Sequence, residues 1–309
     1  MRQRIGFVFS KSHPSATLID NVKSIHLILL LALSAAAQDF TDIQVDKVST
    51  GNIFTEGPAW SRDGFLVFSD IPNNKILQFE PGKPVGVFRS NSNGATGNTF
   101  DAQGRLYTCE SHLRRVTRTD KKGKVEVIAE KYQGKRLNAP NDIVVRKDGQ
   151  IYFTDPAFGS QEDTRELDFF GVYHLSRRGD LEIVAKPKGR PNGIALSPNG
   201  NILYVTNSDE HNVRAYDLDH NGAASNERIL VSKIEGVPDG MRVDEKGNLY
   251  VAASKIEAYT PDGKPLGSVP LAETPSNCAF GDADFESLYV TARTSVYRVR
   301  LNVKGSVQY

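Results

Sequence analysis

From residue 59 to residue 292 the chain repeats one unit. An apolar strand leads into a turn built on Asp, Asn or Gly, and a second apolar strand follows, often holding a Leu-Tyr or Ile-Tyr pair. The unit reads AWSRDGFLVFSD at 59–70, TFDAQGRLYTCE at 99–110 and IVVRKDGQIYFTD at 143–155. It returns as IALSPNGNILYVTNS at 194–208, MRVDEKGNLYVAAS at 241–254 and CAFGDADFESLYVTA at 278–292. Aligned on Val67, Tyr107, Tyr152, Tyr204, Tyr250 and Tyr289, the copies are spaced by 40, 45, 52, 46 and 39 residues. Periods of about 45 residues filled with short alternating strands predict propeller blades, not helical solenoid repeats.

Each second strand precedes a third with period-two alternation, as in Lys75-Ile76-Leu77-Gln78-Phe79 and Val213-Arg214-Ala215-Tyr216. A fourth usually follows, as in Val125-Glu126-Val127-Ile128 and Glu227-Arg228-Ile229-Leu230-Val231, with Gly and Asp-Gly turns between strands. The sixth copy has a third strand at Val296-Tyr297-Arg298-Val299 and no convincing fourth. The alternating segment at 43–48 stands ahead of the first copy and is the natural candidate to complete the sixth blade, which would remove an open sheet edge. The predicted fold is all-β: one six-bladed β-propeller over residues 42 to 309, its ring closed by an N-terminal strand. No segment of it reads as a long amphipathic helix.

Residues 25 to 33 form an apolar run broken only by His26, preceded by Lys23 and followed by Ser34-Ala35-Ala36-Ala37-Gln38. A basic n-region, a short h-region and small residues at the exit predict a secretory signal over 1–37, cleaved near Ala37 and too short to span a bilayer permanently. The polar preface 1–21 fits this poorly, whereas a translation start at Val22 would give a compact n-region. The expected location is exported, periplasmic or secreted, with no membrane association after cleavage. The 38 basic and 37 acidic residues nearly cancel, which removes the electrostatic footprint of a nucleic-acid binder. Cys109 and Cys278 fall in the second and sixth copies, so two buried free thiols are expected even though export permits a disulfide.

In a propeller the residues leading into each innermost strand surround one mouth of the axial channel. An oxygen-bearing side chain recurs there: Glu56, Thr96, Asn141, Asn192, Asp239 and Asn277. Four of them lie 11 residues before the aligned position; Asn192 and Asn277 lie 12 before it, each in a copy with a turn one residue longer. Pro-Asn-Gly and Pro-Asp-Gly are ordinary turn sequences, but Glu has no turn preference, and six-fold symmetry converges all six on one point. Two carboxylates with amide oxygens make a hard site suited to Ca²⁺, or to Mg²⁺ or Mn²⁺.

These motifs, spread over residues 54 to 292, resemble the regucalcin (senescence marker protein) and gluconolactonase family of six-bladed propellers. The resemblance rests on TEGPAW, FSDIPNNKI, FDAQGRLYTCE, APNDIV, IYFTDPAFG, PNGIALSPNG, PDGMRVDEKGNLYVA and SLYVTA. It implies a divalent metal held at Glu56, Asn192 and Asp239, with Asn141 serving metal or substrate, and Asp239 as the acid/base residue of lactone hydrolysis. Ca²⁺ is the first expectation, with Mg²⁺, Mn²⁺ or Zn²⁺ as alternatives. Thr96 stands where family members often carry Asn, and it joins Asn141 as an expected substrate contact. Ala139 stands where some members carry a lactone-binding Arg, so the ring chemistry transfers better than the substrate preference.

The expected activity is metal-dependent opening of a sugar lactone to its hydroxy acid by a monomer. A non-catalytic, calcium-stabilised propeller that binds carbohydrate or protein is the alternative. No Gly-x-Ser-x-Gly, His-Glu-x-x-His or P-loop is present. Phe158, Phe169 and Phe170, in the long segment after the second strand of copy three, would supply an apolar pocket for larger lactones or else pack their own loop. Asp70 and Asp155 end second strands and are expected in turns more than behind the ligands. His112, after the second strand of copy two, could sit near the mouth but is expected rather as a surface or loop histidine, and Arg114 and Arg115 as solvated strand residues that could at most meet an anionic product.

Overall fold

In the computed structural model, which describes residue 40 and residues 43 to 307, six four-stranded antiparallel sheets account for nearly all regular structure. The signal segment and residues 1–21 lie outside the described residues. Blade one is Thr55–Ser61, Phe65–Asp70, Lys75–Phe79 and Gly86–Ser90, paired in chain order. Blades two to five repeat this meander from the inner strands Ala95–Phe100, Ile143–Val145, Pro191–Leu196 and Met241–Val243. The expected third and fourth strands all fall within observed ones. Besides strands, the described residues hold two short 3₁₀ turns, Ser111–Leu113 and Gly159–Thr164, and no helix long and apolar enough to cross a membrane.

Blade six closes the ring. Pro275–Gly281, Ser287–Ala292 and Ser295–Arg300 pair in order, and the fourth strand is Val45–Ser49 from the other end of the domain. It runs antiparallel to the third, with Val45 opposite Val299 and Lys47 opposite Tyr297. The predicted closure by 43–48 is therefore observed, shifted by one to two residues.

The repeated tyrosine has a double task. Tyr152, Tyr250 and Tyr289 have no exposed surface, and their rings fill the space between neighbouring blades. A buried phenol must still find a partner. Tyr107, Tyr250 and Tyr289 donate to Asp101, Asp244 and Asp282 in the preceding turn of their own blades, at 3.0, 3.2 and 2.6 Å. Tyr152 instead donates to the Gly222 carbonyl of blade four at 3.0 Å. Both faces of each second strand meet another blade, so these strands are buried almost throughout. Cys109 and Cys278 are buried free thiols, as expected.

Candidate active site at the propeller mouth

The lead-in residues sit where the inner strands depart from regular pairing. In blades one, two, four and six the register breaks at Glu56/Ala59, Ala95/Asn98, Pro191/Ile194 and Pro275/Asn277. Such bulges re-aim a side chain while the ladder continues. In blades three and five the ladder continues through a pair of backbone bonds each: Asn141 N–H to the Thr154 carbonyl at 2.9 Å with Thr154 N–H to the Asp142 carbonyl at 3.0 Å, and Asp239 N–H to the Ala252 carbonyl at 2.8 Å with Ala252 N–H to the Gly240 carbonyl at 2.9 Å.

A chain of hydrogen bonds links the six lead-ins around the mouth. Ser69 Oγ donates to the Thr96 carbonyl at 2.9 Å, and Thr96 Oγ1 donates to the Asn141 carbonyl at 2.7 Å. Thr154 Oγ1 donates to the Asn192 carbonyl at 2.6 Å, and Thr206 Oγ1 to the Asp239 carbonyl at 2.8 Å. Gly240 N–H reaches the Ser276 carbonyl at 2.7 Å, and Ser276 Oγ reaches the Thr55 carbonyl at 2.8 Å, which closes the circle. Three of these donors are the Ser or Thr near the end of a second strand, in FSD, FTD and VTN. That recurring hydroxyl was visible in the repeats but carried no functional meaning without the ring. The glycine after the site residue has a steric reason as well. A Cβ on Gly57, whose φ is +50°, would lie 2.0 Å from the Thr96 carbonyl oxygen, and one on Gly193 would lie 2.3 Å from that of Asp239.

Glu56, Thr96, Asn141, Asn192 and Asp239 line one cavity of about 350 Å³ at this mouth, toward the small end of the size range of ligand sites. The hydrogen bonds sort them. Glu56 Oε2 accepts from Gly57 N–H at 2.6 Å and from Asn277 Nδ2 at 3.1 Å, while Oε1 accepts none among the described residues. Ser208 gives its hydroxyl proton to the Pro238 carbonyl at 2.9 Å, so it can only accept from Asn192 Nδ2 at 3.0 Å. Asn192 Oδ1 is thereby turned away and left unspent. The Asn141 amide has no hydrogen-bond partner among the described residues, and the Asp239 carboxylate lies beside the Asn192 amide and Gly240 N–H.

Asn277 and Thr96 differ. Asn277 is committed at both ends, accepting from Cys278 N–H at 2.8 Å through Oδ1. Thr96 lines the cavity but directs its hydroxyl to backbone carbonyls.

Burial and the negative charge of Asp142 push the Glu56 carboxyl up to about 7. Burial, then Glu56 and Asp142, push Asp239 well above the usual carboxylate range. Asp142 has no exposed surface and accepts from Ile143 N–H at 2.9 Å and Ile194 N–H at 3.2 Å, with Arg242 Nη1 3.5 Å away. Neither Asp142 nor Arg242 stood out in the sequence, since each has neighbours of ordinary turn or strand type. Two mutually repelling carboxylates and two amide oxygens without donors suit a hard divalent cation. All four side chains offer oxygen, the donor that Ca²⁺, Mg²⁺ and Mn²⁺ prefer, and among the described residues no cluster of three or more His, Cys, Asp or Glu is found.

A model of the SMP-30/Gluconolactonase/LRE-like region matches residues 54–294. The chain belongs to this family. It is 33% identical over 293 residues to a gluconolactonase of Zymomonas mobilis, covering 84% of this chain and 82% of that one. A regucalcin of Xenopus laevis is 27% identical over 266 residues, covering 77% and 82%. The solved structure of a gluconolactonase from Xanthomonas campestris superposes with a TM-score of 0.80 at 33% identity, covering 87% of this chain and 92% of that one. The resemblance read from the motifs is thus the family to which the chain belongs.

The rest of the cavity wall departs in part from expectation. His112, expected as a loop histidine, is exposed and also lines the cavity. Of the three phenylalanines, only Phe158 lines it. Phe169 packs edge-on against Tyr132 at 6.3 Å, and Phe170 lies under Arg165 at 4.6 Å. Phe54, Ile71 and Gln161 complete the wall and had no sequence signal. Asp70 and Asp155 hold the lead-ins of their own blades. Asp70 accepts from Ile53 and Phe54 N–H at 3.2 Å each, and Asp155 from Asn138 and Ala139 N–H at 2.8 Å each. Arg115 is paired with Glu110 at 2.7 Å and stands away from the cavity lining.

Proposed function

We propose that this protein is a divalent-metal-dependent lactonase that opens a sugar lactone to its hydroxy acid. The observation that carries the reading is the set of unspent oxygens of Glu56, Asn141, Asn192 and Asp239 on the floor of a single-ring-sized cavity. The gluconolactonase names of relatives at 33% identity support the substrate class. Glu56, Asn192 and Asp239, with Asn141, would hold the cation, Ca²⁺ first. When bound, such an ion supplies Lewis-acid polarisation of a carbonyl oxygen and stabilises negative charge developing there.

The protein's own groups do the rest. Asp239 takes a proton from the attacking water as its oxygen bonds to the lactone carbonyl carbon. The same carboxyl then returns that proton to the ring oxygen as the acyl C–O bond breaks. Asn141 and Thr96 flank the lactone, and the linked lead-ins keep these groups in place without reorganisation. Export by the 1–37 segment and action as a monomer belong to the same reading.

The test is proton release from a panel of glucono-, galactono- and xylono-lactones by the purified protein, with metal analysis. Release that stops on chelation and returns with one of Ca²⁺, Mg²⁺ or Mn²⁺ is expected. No metal-dependent release from any member would leave a metal-stabilised binding module as the better reading.

A further inference from the structure

Arg114 does not behave as the solvated strand residue expected of it. It is a non-glycine residue in the left-handed region, with φ 55°, at the end of the turn Ser111–Leu113, and it is only 9% exposed. Holding both a strained backbone and a buried guanidinium is costly unless the site repays it. The guanidinium donates to the Asn138 carbonyl through Nη1. Its Nη2 reaches the Gln161 carbonyl at 3.2 Å and donates to Thr164 Oγ1. Gln161 returns the link through Nε2 to the Ser111 carbonyl at 3.1 Å.

Three segments therefore meet at one side chain: the blade-two turn, the blade-three lead-in and the blade-three insert Gly159–Thr164. Asn138 fixes the second further, donating Nδ2 to the Asp155 carbonyl at 3.1 Å and the Phe169 carbonyl at 2.9 Å. The insert is pinned at its other end, where Arg190 lies over the Phe158 ring at 5.0 Å. Six of the twelve residues lining the cavity sit on or beside these segments: Ser111, His112, Ala139, Asn141, Phe158 and Gln161.

We propose that Arg114 is a positioning residue that clamps this half of the cavity wall and so sets the affinity for the lactone without taking part in its chemistry. The clamped wall carries an aromatic ring at Phe158 and an imidazole at His112, the apolar and hydrogen-bonding groups that suit the carbon face and rim of a hydroxylated ring. This assignment of substrate affinity rests on the lactonase reading above; the clamp itself does not.

The experiment compares Arg114→Met, Arg114→Lys and Thr164→Val with the wild-type protein. Proton-release kinetics on glucono-lactone are paired with Ca²⁺ titration and amide hydrogen exchange over residues 158–166. Arg114→Met should raise KM about tenfold with kcat within about twofold, because lost positioning weakens binding of ground and transition states alike. Arg114→Lys should fall between, having one point charge for three acceptors. Thr164→Val, which buries no orphaned charge, keeps the test open if Arg114→Met fails to fold, and should raise KM by about threefold. Calcium affinity should stay as in the wild type, and exchange over 158–166 should quicken. A fall in kcat at unchanged KM, or unchanged KM in the folded variants, overturns the affinity role. Unchanged exchange overturns the clamp. Were the wild-type protein to open no lactone, the lactonase reading would fail while exchange still decided the clamp.

Discussion

Asn277 donates its side-chain amide to Glu56 Oε2 at 3.1 Å, although 221 residues separate them in the chain. The bond crosses the seam between blades six and one, so ring closure itself fixes one end of the candidate metal site. Holding Oε2 leaves Oε1 free to face the cavity.

Asn277→Ala should therefore weaken metal binding without unfolding the propeller. The lost bond is to a charged acceptor, so about 1–3 kcal/mol of orientation is at stake, or about 5- to 150-fold in metal affinity. Calorimetric Ca²⁺ titration measures it, and an unchanged affinity would show that Glu56 is held by Gly57 N–H alone.

Asp239→Asn and Glu56→Gln should separate chemistry from metal retention. Asparagine keeps a ligand oxygen but cannot shuttle a proton, so kcat should fall at least about 10²-fold with metal still bound. Glutamine at 56 removes one of two site carboxylates and should mainly raise the metal concentration needed for activity. Substantial turnover in Asp239→Asn under saturating metal would remove it from the acid/base role.

Glu273 clasps the closing strand. Its carboxylate accepts from Thr294 N–H and Oγ1, both at 2.8 Å, from Ser295 Oγ at 2.5 Å and Tyr297 at 2.9 Å, and it pairs with Lys47 at 3.3 Å. Burial alone would raise its pKa, but the donors outweigh it and bring the carboxyl down to about 2. A depressed carboxylate stabilises the fold above its ordinary value, and that contribution is lost as pH falls toward about 2. Glu273→Gln should thus lower the melting temperature at neutral pH, with a deficit that shrinks as the solution is acidified. A deficit independent of pH would mean that the hydrogen-bond geometry matters and the charge does not.

Asp155 gives the opposite sign. Burial outweighs the two N–H donors and nearby Arg114, and lifts its carboxyl to about 7. Between its ordinary value and about 7 the folded protein holds a proton that the unfolded chain releases, so this residue makes stability fall as pH rises. Asp155→Asn removes that slope while forfeiting one acceptor for the Asn138 and Ala139 N–H groups. Its deficit in melting temperature should be largest at acid pH and narrow toward neutrality. A deficit that widens instead would show Asp155 to be ionised throughout.

The sequence by itself determined the blade count, the strand order and the closure. All three follow from a local pattern repeated six times, with one copy short of a strand and a spare strand at the other end. It also determined which residues reach the mouth, because an offset of 11 or 12 residues from the second strand puts Glu56, Asn141, Asn192 and Asp239 at the equivalent lead-ins of blades one, three, four and five. Only the tertiary structure decided their roles. Asn192 and Asn277 are alike in sequence, yet Ser208 turns one amide oxygen free while Cys278 N–H occupies the other. Thr96 spends its hydroxyl on the next blade, and Arg114 leaves its own blade to hold the insert of another. Those distinctions depend on which blade lies beside which and on what partner is left over there. A repeat read one copy at a time carries no such information.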